Sequence, residues 1–219
     1  MNLYFIRHGE PNYSTDSLTP VGHKQAKLLS NSIEELHLDE IHQSPMGRAV
    51  QTAFYSAEKL GIPPVSEPWL HELCWGDMSG NAYSSASPWS VSDDFIQNIH
   101  EYPEGDAWKN HPRFKNDRLV EDIENHVKDF DNFLAGYGYV RQGQLYRIEK
   151  PNAKNIALVC HGGITAAFAA HLLNMSFLEF ITHTHIGFTS VTKITLGDKA
   201  GYNAARMMYF NDCRHLGER

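Results

Sequence analysis

Two short, continuously apolar runs, each ending in a histidine and a glycine, constrain this chain more than any other feature. Leu3-Tyr4-Phe5-Ile6 leads into Arg7-His8-Gly9-Glu10, and Ile156-Ala157-Leu158-Val159-Cys160 leads into His161-Gly162-Gly163. An apolar run without polar alternation reads as a strand covered on both faces, which calls for a parallel sheet between helices. In open α/β sheets ligands bind at the carboxyl ends of the strands, and both runs deliver an imidazole there. Gly9 lets backbone approach a ligand closely. Arg7 offers a planar fork of donors suited to phosphate oxygens, and a neutral imidazole beside it can attack phosphorus.

The segments between the runs alternate helix and strand. Thr19-Pro20 opens a helix as N-cap and first helical residue, with Val21, Ala26, Leu29, Ile33 and Leu36 expected on its buried face. A short strand is expected over Asp39–Gln43. Ser44-Pro45 then starts a helix running from Met46 to about Leu60, stopped by Gly61. Residues 65–80 read as an irregular connection. From Asn81 to Pro112 the chain turns rich in Ser, Pro, Trp, Tyr and Asp without clean periodicity, which predicts an inserted cap with a short helix near Asp93–His100. Leu119, Ile123, Val127, Phe130 and Leu134 step as one face of a long helix ended by Gly136. A hairpin is expected within Tyr137–Pro151, a helix after His161 up to Leu173, and closing strands over Ser190–Leu196 and Ala204–Phe210. The pattern predicts one α/β domain over residues 1–219, a three-layer sandwich with a mostly parallel central sheet and a small cap at 81–112.

Composition narrows the partners. A formal net charge of −7 argues against nucleic acid, because a backbone-phosphate binder needs a broad cationic face. A small phosphorylated substrate answers to local arginines instead. Three widely spaced cysteines, an odd number, suggest a reducing compartment without a disulfide framework. No apolar signal region precedes the first strand. The longest apolar stretch, Ile164–Leu173, is broken by Thr165 and His171, so neither secretion nor membrane insertion is expected and the chain reads as cytoplasmic. No surface stripe is diagnostic of a homodimer, and self-association stays open.

Taken in order, Arg7-His8-Gly9, Arg48 in SPMGRAVQTA, Glu72 in HELCWGD and His161-Gly162-Gly163 assemble two strand-end imidazoles, two guanidinium groups and one carboxyl group. Phosphoryl transfer through a covalent histidine intermediate requires this set. The RHG tripeptide, the LTPVGHKQA helix start and the SPMGRAVQTA, ELCWGDMSG and VCHGG segments together resemble the histidine phosphatase superfamily, the phosphoglycerate-mutase-like group, over about residues 3–210. The resemblance implies His8 as the nucleophile and His161 as the histidine that hydrogen-bonds the transferring phosphoryl group. It implies Arg7 and Arg48 as the oxygen clamp, beside Gly162, and Glu72 as the donor of a proton to the leaving oxygen. Trp75 nearby would shield Glu72 from water. No cofactor and no metal are implied, because arginines and imidazoles supply the positive charge.

The segment from Glu10 to Leu18 is short, and a phosphate contact from Asn12 is therefore in question. Mutases of the family use a longer loop there and a carboxyl-terminal tail to shield a bisphosphorylated intermediate. This chain departs on both counts, which favours hydrolysis of a phosphomonoester. A mutase and a catalytically weak phospholigand-binding module are the alternatives. Substrate-pocket candidates are Asn12, His185 and Tyr83, the last within an aromatic-rich cap that either selects the substrate or pins the cap to the core. His183 and His185 are expected as alternate residues of a strand at the pocket edge, with a metal site there the lesser reading.

Overall fold

The computed structural model describes residues 1–77 and 102–217. In chain order its strands are β1 (Asn2–Arg7), β2 (Pro11–Asn12), β3 (Ser17–Leu18), β4 (Glu40–Gln43), β5 (Val65–Ser66), β6 (Tyr139–Gln142), β7 (Leu145–Ile148), β8 (Asn155–Cys160), β9 (Val191–Thr195), β10 (Gly201–Asn203) and β11 (Arg206–Asp212). The α-helices are α1 (Pro20–Ser32), α2 (Gly47–Leu60), α3 (Leu119–Gly136), α4 (Gly162–Leu173) and α5 (Phe177–His183). Six strands form the central sheet in the order β11-β9-β1-β8-β4-β5. β1, β8, β4 and β5 run parallel, and β9 and β11 close one edge antiparallel.

The apolar runs split their side chains between two cores, as strand geometry requires of a sheet covered on both faces. Leu3 and Phe5 of β1, with Ile156, Leu158 and Cys160 of β8, join the core beneath α3, α4 and α5. Tyr4 and Ile6, with Ala157 and Val159, join the core beneath α1 and α2. This is the three-layer α/β arrangement that the alternation predicted.

Local chemistry sets the helix ends. The Thr19 hydroxyl accepts from Gly22 N–H and caps α1. Gly61, with φ of 67°, ends α2 in the left-handed conformation. Two expectations shift. Val21 is 51% exposed, since five helical residues place it roughly 140° around the axis from Ala26. Helix α3 includes Gly136, and the left-handed residue beyond it is Gly138 at φ 89°, where a Cβ would lie 2.6 Å from that of Lys150. The expected hairpin follows as β6 and β7, extended by β10 into a separate three-stranded sheet.

Part of the expected cap belongs to the core. Residues 105–110 form a 3₁₀ turn, and Trp108 is buried against Phe114 and Phe177. The short helix expected at Asp93–His100 lies outside the described residues, as do Tyr83, Trp89 and Phe95. His183 ends α5 and His185 follows in a loop, so the two do not share a strand face. The turn after Ser176 explains this: Phe177, Leu178 and Phe180 bury themselves against α4 as a helix rather than an edge strand.

Helix α4 is apolar on all sides and almost wholly buried. No single helix among the described residues is long and apolar enough to cross a membrane, and α4 and α5 meet at a bend of 120°. At its centre Phe168 stacks on Phe130 with ring centroids 4.4 Å apart and touches Phe5 and Trp69. Phe168→Ala should therefore cost about 3–5 kcal/mol of unfolding free energy, read as a lowered urea midpoint with an unchanged slope. A loss below about 1 kcal/mol would show that this ring cluster is not the keystone of the larger core.

Candidate active site

Pairing of β1 with β8 puts Arg7 opposite Cys160, and His8 N–H donates to Cys160 C=O at 2.9 Å. The two strand-end imidazoles therefore emerge side by side, with ring centroids 5.1 Å apart and edge to face. Both are buried, at 1% and 0% exposure.

The hydrogen bonds of His8 identify its tautomer. Nδ1 lies 2.7 Å from Gly9 C=O, which can only accept, so Nδ1 carries the proton. Nε2 is then a bare lone pair, and Arg48 Nε–H donates to it at 3.3 Å. Burial, reinforced by the charges of Arg7 and Arg48, lowers the His8 pKa to about 3. The same causes, burial first, hold His161 well below the ordinary histidine range. His161 Nε2 meets the Ser44 hydroxyl at 2.8 Å. Met46 N–H also donates to that oxygen; with the hydroxyl hydrogen turned to Nε2, Nδ1 is the protonated nitrogen.

Arg48, buried on the first turn of α2, is held by three partners. Nε reaches His8, Nη1 pairs with Asp16 at 2.5 Å, and Nη2 lies 3.5 Å from Met46 Sδ. The other Asp16 oxygen accepts from Gly47 N–H at 2.6 Å, so one carboxylate both caps α2 and pairs with Arg48. Close approach is essential here: a Cβ on Gly47 would lie 2.2 Å from Asp16 C=O. Arg7 donates from Nη1 to Ile186 C=O and lays its guanidinium 4.2 Å over Phe188. It makes no pair with Glu10, whose carboxylate accepts from the Thr19 hydroxyl. A Cβ at Gly162 would sit 3.4 Å from Arg7 Nε, so the helix start after His161 packs directly on the guanidinium. Arg7 Nε and His161 Nδ1 are buried nitrogens with no hydrogen-bond partner among the described residues. Orphaned buried donors at one place are the signature of a site built for an anion.

Glu72 sits in the irregular segment after a 3₁₀ turn at 68–70. Oε1 accepts from Leu73 and Ile164 N–H at 3.0 and 2.9 Å, and Oε2 from Gly163 N–H at 3.2 Å. The carboxyl group thus lies on the first turn of α4, directly after His161. Its own N–H contacts Met46 Sδ, which links it to Arg48.

All five residues singled out in the sequence, with Gly162, converge at the carboxyl ends of β1 and β8. The proposed pocket residues fare differently. Asn12 is exposed and accepts from Ser14 N–H and Oγ, capping the β2–β3 turn rather than facing the site. The loop instead contributes Tyr13, whose hydroxyl group acts electrostatically on Arg7 and whose ring lies 5.5 Å from the Arg48 guanidinium, together with Asp16. His185 is exposed, one residue from Ile186 and three from Phe188, which touch Arg7. Tyr83 lies outside the described residues. Ser44, Met46, Tyr13, Asp16 and Phe188 were not anticipated; only Ser44, immediately after strand β4 in the SPMGR segment, carried a positional signal.

Comparison with known proteins agrees with this geometry. The family model described as "Histidine phosphatase superfamily (branch 1)" matches residues 3–206. The protein named "Putative phosphoserine phosphatase 2" from Hydrogenobacter thermophilus is 25% identical over 97% of this chain and 96% of its own length. "Probable phosphoglycerate mutase GpmB" of Yersinia pestis is 30% identical, over 40% of this chain and 45% of its own. Among solved structures, phosphoserine phosphatase from Entamoeba histolytica in complex with 3-phosphoglyceric acid superposes with a TM-score of 0.66 at 20% identity, covering 98% of each chain. A mycobacterial glucosyl-3-phosphoglycerate phosphatase superposes with a TM-score of 0.65 at 20% identity, covering 96% and 98%. With the fold, the paired strand-end histidines and a match along nearly its whole length, the chain belongs to the histidine phosphatase superfamily.

Proposed function

We propose that this chain is a phosphatase that hydrolyses a small phosphomonoester through a phosphohistidine formed on His8. One observation carries the reading. His8 is buried and neutral, with its Nε2 lone pair set by the Gly9 hydrogen bond, among two guanidinium groups and two orphaned N–H donors.

In the first step His8 Nε2 attacks phosphorus, a P–N bond forms, and the ester P–O bond breaks. Arg48 Nε–H leaves the lone pair as its fork turns to the phosphoryl oxygens. Arg7 and His161 Nδ1–H take the remaining oxygens and stabilise the charge developing on them. Glu72 enters protonated, gives its proton to the departing alkoxide, and becomes the carboxylate. In the second step that carboxylate takes a proton from water, which attacks phosphorus and breaks the P–N bond, releasing inorganic phosphate. The three N–H groups around Glu72 suit its carboxylate state, the one needed for the second step. Positive charge comes from side chains, so no ion has to touch the phosphoryl group.

The full-length match to a protein named for phosphoserine hydrolysis, against a partial match to a mutase, supports hydrolysis over transfer. So does the short β2–β3 hairpin, which leaves little chain to shield an intermediate from water. Phosphoserine, 3-phosphoglycerate and glucosyl-3-phosphoglycerate are the first substrates to assay.

Radiolabelled substrate with an alkaline quench should leave an acid-labile label on the wild type and none on His8→Ala, whose turnover falls at least about 10³-fold. Tight substrate binding without turnover would instead support a binding module, and interconversion of phosphoglycerates with a bisphosphate primer would support a mutase. Glu72→Gln should lose about 10²–10⁴-fold on alkyl phosphates but far less on p-nitrophenyl phosphate, whose leaving group needs no proton. Equal losses on both would remove Glu72 from the role of acid.

The pH dependence follows from the depressed His8 pKa. Because the folded value lies near 3 and the unfolded one near 6.5, the unfolded chain binds more protons between those limits. The His8 contribution to stability is therefore full above about pH 6.5 and is lost as pH falls toward 3. The nucleophile itself stays neutral throughout that window. An NMR titration should show the His8 ring proton unmoved from pH 8 to 5; a midpoint near 6.5 would mean that the site is open to water.

A further inference from the structure

The residues flanking Glu72 build a second polar cluster that phosphoryl transfer does not use. His71, Asp122 and His126 each present a ligand atom, and these atoms lie within 4.8 Å of one another. Asp122 and His126 are four residues apart on α3, so their side chains share one face. Cys74 N–H donates to Asp122 Oδ2 at 2.8 Å and helps to hold that carboxylate in place. We propose that this cluster is a Zn²⁺ site, with His71 Nε2, His126 Nε2 and an Asp122 carboxylate oxygen as ligands.

His126 carries the argument. It is 3% exposed, and its Nδ1 lies 2.7 Å from Trp69 C=O, which makes Nδ1 the donor. Nε2 is then a buried lone pair. It makes no hydrogen bond, and it faces Asp122 Oδ2 at 3.4 Å. Two acceptors held that close repel unless a second proton on the imidazole or a metal ion lies between them. Their separation matches a ligand edge of a tetrahedral zinc, roughly 3.3–3.5 Å for bonds of about 2.0–2.2 Å.

His71 repeats the arrangement. Its Nδ1 donates to Glu72 C=O at 2.7 Å, so Nε2 is the nitrogen left for a metal, and the two rings stand edge to face at 4.3 Å. A backbone carbonyl holding the far nitrogen is how metal-ligating histidines are oriented. Two imidazoles and one carboxylate form a set suited to zinc rather than to magnesium or calcium. The ion would tie the segment carrying Glu72 to α3 without touching the phosphoryl group, a structural clip beside the site.

The test is a titration of metal-stripped full-length protein, under a phosphine reductant, with Zn²⁺ alone in competition with a chromophoric chelator. Wild type should bind one equivalent, and Asp122→Asn and His126→Asn should each weaken it at least about 100-fold. The double variant His183→Ala/His185→Ala should bind like wild type. Should the α3 variants not fold, Co²⁺ substitution of wild type and His71→Asn decides the matter. Wild type should show intense tetrahedral d–d bands, and His71→Asn should lose them. No stoichiometric binding, binding unchanged in Asp122→Asn and His126→Asn, or a pale octahedral Co²⁺ spectrum would overturn the site and leave an ordinary His126–Asp122 ion pair. These outcomes are independent of the His8 label, so failure here does not touch the phosphatase reading.

Discussion

The parallel pairing of β1 with β8 is the constraint on which the rest depends. It fixes Arg7 opposite Cys160 and His8 against the end of β8, so two histidines 153 residues apart in the chain meet at one sheet edge. A one-residue slip would exchange the two cores, moving Leu3 and Phe5 to the α1/α2 side and turning both strand ends over. Because each face carries its own apolar set, that slip is strongly disfavoured, and the register that buries the core also assembles the site. Fold stability and catalytic geometry are here the same set of contacts.

The site so formed is electrostatically lopsided. Two guanidinium groups and two imidazoles converge with little water, and the protein answers in three ways. Burial and mutual repulsion keep both imidazoles neutral. Asp16, reaching across from the β2–β3 hairpin, pairs with Arg48 and caps α2. The remaining donors, Arg7 Nε and His161 Nδ1, stay unsatisfied. An arrangement of that kind is costly without an anion and favourable with one. Asp16 also sets the limit on Arg48: the arginine reaches phosphate only through the face of its fork that Asp16 leaves.

What could be read from the residues follows the regularity of the backbone. Strand-end histidines were legible because an apolar run must end somewhere, and in a parallel sheet its carboxyl end is where chemistry collects. Arg48 was legible because a helix start follows a Ser-Pro break. Tyr13 and Asp16 were not, because a hairpin of eight residues from Pro11 to Leu18 presents side chains in directions no periodicity specifies. Asn12 accepts from Ser14 N–H and Oγ, the local turn chemistry that asparagine performs anywhere, and its place as a pocket residue, in question from the sequence, stays a proposal. The expected strand through His183 and His185 failed for a related reason. Alternation of histidines suggested period two, but Phe177, Leu178 and Phe180 dictate a helix by packing on α4.

Glu72 shows why irregular segments need their own scaffolding. No helix or strand holds residues 71–77, so their positions come from side chains elsewhere. The first turn of α4 grips the Glu72 carboxyl group, Asp117 accepts from Gly76 N–H, and Asp122 accepts from Cys74 N–H. Two of those three anchors lie on or just before α3, on the far side of the sheet from Arg48. The residue proposed to handle the proton is therefore coupled to a different layer from the arginine proposed to clamp the phosphate. Whatever fastens the 71–77 segment to α3, by hydrogen bonds alone or through an ion shared by His71, Asp122 and His126, controls how accurately Glu72 meets the leaving oxygen. Geometry at the reacting atom is sensitive to displacements of about 1 Å, so the cluster behind Glu72 acts on the chemistry through position, while charge at the phosphoryl group is left to Arg7, Arg48 and the two histidines.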